Sequence, residues 1–365
     1  MSEPTLHPPD FTTYNPQSAS PLFATLPPEL RSLIFTYALS PYEDTSRTYA
    51  RETYWTRPGY SAPHKTSTSI LRTCKAAYAE TWFLPFALAE HAFYLTARDR
   101  APRNLSHAGF QPCLELIRKI HGEFETGHLR IFAQLYILEP GDALQQVLDT
   151  EYLAPRRVSL TLRYTDFWHW EDNRRLWVDP RWVNRVRFPE SVSRFVVDFE
   201  SLERRKEEID IITGQAVEGW VFRRRDGKVL TARKEDVVVT RWTGSSTLGG
   251  RRWVRDEVRP GELDYYVVTV TWKLSRSAEE DGVDLGVPCP KIQVPDDYVQ
   301  PPPPYLGWSS LPESELRMAG VTSDMQATDA VAVVQAYRAN SAAASARSRS
   351  IGSSMRLRDR IGRNH

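Results

Sequence analysis

Cysteine is scarce in this chain. Cys74, Cys113 and Cys289 are the only three, they stand far apart, and no Cys-x-x-Cys pair is present. Three thiols cannot build a disulfide framework, and an odd number suits a reducing compartment, so the expected location is intracellular, cytoplasmic or nuclear. Long apolar runs are missing too: none approaches the ~18 residues that span a bilayer. The opening MSEPTLHPPD has neither the basic start nor the apolar core of a signal peptide, so no membrane partner is expected. Neither sign of charge is in excess, with 47 Lys and Arg against 46 Asp and Glu. A balance of +1 gives no phosphate-binding field, and nucleic acid is not an expected partner.

Catalytic signatures are absent as well. There is no GxSxG elbow, Walker loop or GxGxxG, and the eight histidines form no HExxH or other paired ligand spacing. No catalytic residue, cofactor or metal is assigned, and the chain is read as a non-enzyme. His121 and His128 are read as surface or satisfied side chains, and Cys74 as a small buried residue on a helix face. Asn104-Leu105-Ser106 matches a glycosylation sequon but lacks a secretory context.

What is present is an ordinary folding composition, 41% hydrophobic and 25% charged over 365 residues, which argues against wholesale disorder. Residues 1–20 read as a disordered leader. Residues 21–100 read as a helical region, starting with PLFATLPPELRSLIFTYAL. Pro27 and Pro28 suit a helix entry, and Glu29 lies in a first turn that favours a carboxylate. Leu30, Leu33, Ile34, Tyr37 and Ala38 then recur every three or four residues and build one apolar face. A polar loop follows over 41–66. Ile70, Leu71, Cys74, Tyr78 and Trp82 form a second helical stripe, Pro85 breaks it, and Ala92–Leu95 is extended.

Residues 101–275 read as a mixed α/β body. Strands are expected at 116–124, 156–164 and 192–200, with helices from Asp142 to Thr150 and along Leu202, Ile209, Ile212 and Ala216. Asp226-Gly227 between two apolar runs is a hairpin signal. The runs 237–242, 251–258 and 263–274 then predict an antiparallel β-meander. Phe167–Phe188 holds four of the eleven tryptophans with interspersed arginines; packing of large rings under arginine stems is preferred there to a ligand-gripping surface. Arg223-Arg224-Arg225 reads as a solvated edge or turn. A Pro-rich linker spans 276–323, and 324–365 holds a possible short helix (324–340) and a basic disordered tail. The last 25 residues carry six arginines against one aspartate.

The blocks LPPELRSLIFTYAL and ILRTCKAAYAETWFLPFALAEHAFYL resemble the N-terminal region of fungal F-box-like proteins. More narrowly, they resemble a group of filamentous-ascomycete proteins that share a domain of unknown function. The resemblance continues through IRKIHGEF, RRVSLTLRYTDFWHWED and FVVDFESLERRKEEIDIITGQAVEGWVF, about residues 21–230. It implies docking on the Skp-type adaptor of a cullin-based ubiquitin ligase, with the body capturing substrate. The adaptor-binding positions it implies are Leu26, Pro27, Glu29, Leu30 and Ile34 in a first helix and Leu71, Cys74, Lys75 and Tyr78 in a later one. The family keeps these helices close in sequence, whereas the 41–66 loop separates them here. Packing of both helices into the protein's own core is the competing reading.

Pro302-Pro303-Pro304-Tyr305 fits the PPxY pattern that WW domains bind, because successive prolines pre-form a polyproline II segment and the tyrosine anchors it. A proline spacer is the alternative. The sequence therefore leads to an α+β protein with F-box-like N-terminal helices, a mixed body ending in a meander, and disordered termini. Its expected role is a non-enzymatic interaction module, an F-box-type substrate receptor. The alternative is a scaffold that does not bind the adaptor and works through PPxY and the basic tail.

Overall fold

The strand Arg194–Leu202 shows how the sequence divides the molecule into faces. Phe195, Val197 and Phe199 alternate with Val196, Asp198 and Glu200, so a period of two sends three large apolar side chains one way and two carboxylates the other. The computed structural model describes residues 13–103, 105, 107–275 and 286–361. Leader residues 1–12, sequon positions Asn104 and Ser106, loop residues 276–285 and the last four residues lie outside the described residues.

The fold is mixed α+β, and the chain divides into two compact units. The first comprises Met1–Trp242 and Tyr265–Pro301. In chain order the elements used below are α1 (Pro28–Ala38), α2 (Lys75–Thr81), β1 (Glu90–Leu95), α3 (Phe110–His121), β2 (Thr126–Ala133), α4 (Asp142–Leu148), β3 (Pro155–Leu162), β4 (Arg187–Phe188), β5 (Arg194–Leu202), α5 (Lys206–Gly219), β6 (Phe222–Arg224), β7 (Val229–Thr231), β8 (Val237–Ser245) and β9 (Glu262–Leu274). The nine-stranded sheet runs β1-β2-β3-β5-β9-β7-β6-β4, with β8 also paired to β9. β1, β2, β3 and β5 are parallel, and β9 is antiparallel to β5 and β7.

One face of this sheet is the core. Ile131, Leu160, Val197, Phe199 and Val268 join Leu114 of α3, Leu148 of α4 and Ile209 and Ile212 of α5 in a single buried cluster. The other face is polar, and the irregular segment 41–66 packs on it. Tyr60 meets Phe132 edge-on at 4.9 Å, and Arg57 bridges to Glu200 at 3.0 Å. The second unit, Thr243–Asp264 with Pro302–His365, holds a three-stranded antiparallel sheet of Thr247–Leu248, Arg251–Arg252 and Leu311–Pro312. Helices α6 (Glu313–Ala319) and α7 (Ala327–Ile361) bring Leu316, Ala330, Val331 and Val334 onto Val254 and Leu311.

Several expectations are met: the β3, β5 and Ala92–Leu95 strands, helices α4 and α5, and the hairpin. In the hairpin Val229 pairs with Arg223 across a turn where Gly227 takes φ 81°, the left-handed region glycine enters freely. Others are corrected. The strand expected at 116–124 is the second half of helix α3. Phe110, Leu114 and Ile117 fall at helical spacing, Arg118, Lys119 and His121 suit the negative end of the helix, and Gly122 ends it. A window opened at residue 116 cut that period in half. The 68–82 stripe is not one helix: Ile70–Arg72 is a 3₁₀ turn, and α2 starts only at Lys75. Cys74 is the extended residue before it, not a residue on the helix face, and its Sγ accepts the Ala77 N–H at 3.4 Å.

The meander is also corrected. The runs 237–242 and 263–274 are strands β8 and β9 and pair with each other, but β9 also sits between β5 and the β6–β7 hairpin. Val268, Val270 and Trp272 are buried in the core while Val267 is buried on the opposite face, and a strand covered on both faces belongs inside a sheet. Residues 251–258 contribute no strand to this sheet, Arg251–Arg252 belonging to the second unit's small one. Arg224 is not a solvated edge residue: it is buried, pairs with Asp226 at 2.5 Å and donates to the Val192 carbonyl at 3.0 Å.

Candidate functional site

Helix α1 begins at Pro28, where a missing N–H costs nothing, and Phe35 with the following Leu39 fastens it to the protein. At 100° per residue those two lie opposite the stripe Leu30, Leu33, Ile34 and Tyr37. The stripe therefore faces solvent, with the four residues 48%, 51%, 43% and 75% exposed. An i, i+3, i+4, i+7 apolar row on the open side of a helix is the geometry of a helix laid into a partner's groove. Glu29 and Pro27 are exposed at its start, and Leu26 is half-buried, its carbonyl accepting from Arg31 Nη1 at 2.9 Å.

The later implied positions are close by. Arg31 of α1 clasps Glu80 of α2 through two bonds, Nε–Oε2 at 3.2 Å and Nη2–Oε1 at 3.0 Å. Lys75 and Tyr78 are exposed on α2, whereas Leu71 and Cys74 are half-buried in the turn before it. The polar loop between the helices is an excursion pinned at its base. Tyr42 and Glu43 pair antiparallel with Lys65 and His64, and Lys65 Nζ lies 2.6 Å from Asp44 Oδ1. Its length therefore does not separate the helices it interrupts.

Sequence reasoning missed the polar sheet face, because its members come together only through strand register. Glu90 Oε2 lies 2.5 Å from His128 Nδ1, and His128 Nε2 lies 2.8 Å from Ser159 Oγ. Carboxylate, imidazole and hydroxyl in that order form a hydrogen-bonded row of the kind found in acid–histidine–serine triads. Ser159 is fully buried, so the hydroxyl is closed to a substrate here and the row works as a structural tie across β1, β2 and β3. Beside it Arg130 Nη1 reaches Asp198 Oδ2 at 2.8 Å, and Asp198 also accepts from Thr161 at 2.9 Å and Thr269 at 2.7 Å.

These contacts predict an acid response. Burial pushes the Asp198 carboxyl up, but Arg130, Arg57 and the two threonine hydroxyls outweigh it and hold it below the ordinary range. Glu90 behaves alike, burial being outweighed by the His128 bond and by Arg130. A carboxylate whose folded value is depressed stabilises the fold above its unfolded value, and that stability is lost as pH falls through the folded one. Glu200 has the opposite sign, since burial wins over Arg57 and raises it. Thermal stability is expected to fall as pH drops from about 5 to about 3, and Asp198→Asn is expected to flatten that slope; an unchanged slope refutes the assignment.

The tryptophan-rich stretch packs as expected at Trp170 and Trp182, both buried, while Trp168 and Trp177 stack with centroids 5.8 Å apart. His169 and Asn173, both left-handed, border an open groove of about 1140 Å³ with Arg174, Arg175 and Gln300. In the second unit Pro302 and Pro304 are exposed, but Tyr305 is half-buried against the Val254–Leu316 cluster. Its N–H donates to the Arg255 carbonyl at 3.3 Å, and its ring fills the space a side chain at Gly307 would need.

Among the described residues no group of three or more His, Cys, Asp and Glu side chains is placed to hold a metal ion, and no helix is long and apolar enough to cross a membrane. Compared with protein-family models, curated proteins and solved structures, the chain matches none of them.

Proposed function

We propose that the chain is a protein-interaction module in which α1, backed by α2, docks on the Skp-type adaptor of a cullin-based ubiquitin ligase while the sheet body presents a substrate. The observation that carries this reading is the solvent-facing row Leu30, Leu33, Ile34 and Tyr37. Apolar side chains at helical spacing that the protein's own core leaves uncovered are recognition anchors, and the Arg31–Glu80 clasp fixes the second helix beside them. In this role the bond-making chemistry belongs to the partner complex. The test is co-purification of a Skp-type adaptor with the intact chain; a chain that brings down no adaptor sinks the reading.

A second reading, a scaffold working through Pro302–Tyr305 and the basic tail, is favoured by the exposure of Pro302 and Pro304. Tyr305 must leave its cluster before a WW domain can hold it, and affinity falls in proportion to the fraction already released. A peptide spanning 298–308 is expected to bind a WW domain at least about tenfold more tightly than the intact chain does. Tyr305→Ala is expected to abolish peptide binding. Fluorescence anisotropy decides it: equal binding by peptide and Tyr305→Ala peptide removes the motif.

A further inference from the structure

The sheet of the first unit has an edge that is not protected. Among the described residues β8 pairs only with β9, so along Val237–Trp242 its outer N–H and C=O groups have no ladder partner. Val238, Val239, Thr240 and Arg241 are all exposed, the two valines 56% and 42%. Successive strand residues point to opposite faces, so neither face of β8 is covered there. Natural edges are commonly blunted by proline, lysine or an inward charge. The run Val-Val-Val-Thr-Arg-Trp has no proline or lysine, and its arginine lies over the Tyr266 ring at 4.9 Å and bonds Glu203 at 2.9 Å. The strand is nonetheless well anchored from behind: Trp242 stacks on Tyr265 at 4.2 Å and donates to Glu200 at 2.9 Å.

We propose that β8 is a self-association edge on which a second copy of this chain adds its own β8, antiparallel and about a two-fold axis. The charges select both occupant and direction. Glu235 lies just before the strand and Arg241 at its middle, both largely exposed; Glu235 bridges to Arg233 at 3.9 Å, and Arg241 bridges to Glu203 and lies over the Tyr266 ring. Antiparallel pairing centred on Val238 brings Arg241 of each copy to Glu235 in the 3₁₀ turn that leads into the other's strand, whereas in-register parallel pairing sets arginine against arginine. The edge is thus complementary to itself, as an isologous contact requires. The apolar part is only two valines per copy, so association is weak, and it comes mainly from backbone hydrogen bonds.

Sedimentation velocity of the full chain tests this. The expected result is a monomer that shifts to a dimer as concentration rises from about 1 to 100 µM. Val239→Lys, placed on an exposed side chain, is expected to weaken the dimer at least about tenfold. Arg241→Glu and Glu235→Arg are each expected to weaken it, and the double exchange to restore it, a rescue that a merely misfolded variant does not show. A monomer throughout the range, a dimer indifferent to Val239→Lys, or a double exchange without rescue overturns the proposal. So does a monomer that captures an added extended peptide along β8, which assigns the edge to a foreign strand.

Discussion

Leu30→Asp is expected to abolish capture of a Skp-type adaptor and to leave thermal unfolding within about 2 °C of the parent. Both halves follow from one fact, that Leu30 sits on the half of α1 turned away from Phe35 and Leu39. In the free protein the new carboxylate stays in water and costs the fold little. In the docked helix it must enter an apolar groove with no partner, where an unpaired charge is far more costly than a lost leucine contact. Losing one central anchor already removes about 2 kcal/mol or more, roughly thirtyfold in affinity, and the buried charge adds to that. Phe35→Asp is the control with the opposite outcome, since its side chain is buried and the substitution is expected to detach the helix from the rest of the protein. Adaptor binding that survives Leu30→Asp removes the stripe from the interface. A large stability loss in the same variant shows the stripe to be part of the fold.

Arg163→Ala is expected to cost about 3–5 kcal/mol in urea unfolding, the largest stability effect of any single substitution considered. Arg163 is buried with Asp166, to which it gives Nε–Oδ2 at 2.6 Å and Nη2–Oδ1 at 3.0 Å. Its Nη1 also donates to the carbonyls of Tyr54 at 3.0 Å and Arg100 at 3.2 Å. One guanidinium therefore holds the end of β3, the covering segment 41–66 and the 97–100 turn together. Although burial disfavours its charge, the adjacent Asp166 holds the guanidinium above its ordinary value. Truncation leaves the Asp166 carboxylate and two carbonyls without this donor. The double change Arg163→Met with Asp166→Leu is expected to recover part of the loss, because removing both charges relieves the desolvation that removing one leaves uncompensated. A loss below about 1 kcal/mol for Arg163→Ala places the pair at a surface and refutes the clasp.

Where local signals were complete, sequence was enough. Asp226-Gly227 states its own turn, the alternation from Phe195 to Glu200 its own strand, and Ile209, Ile212 and Ala216 their own helix face. The misreadings have distinct causes. For α3 the signal was present but read over too short a window. For β9 the strand itself was legible, but its place in the sheet carries no local signal, since its residues suit an edge or a centre alike and only burial on both faces decides. The α1 stripe is the most instructive: periodicity reveals that Leu30, Leu33, Ile34 and Tyr37 share a side, but not whether that side meets the core or water. The pairs Glu90–His128, Arg130–Asp198 and Arg57–Glu200 lie 38, 68 and 143 positions apart, and nothing short of register brings them into view.

The central place of β9 also sets an order of events during synthesis. β5 is complete at Leu202, yet its outer edge is closed only by residues 265–273. At about 5–20 residues per second, the growing chain carries an open parallel sheet for on the order of several seconds before that strand is made. A ribosome-bound or truncated chain ending before Glu262 exposes Arg194–Leu202 along its whole length, a template for chaperones or for neighbouring nascent chains. The strand that completes the sheet is thus also the checkpoint that separates a finished molecule from an adhesive one.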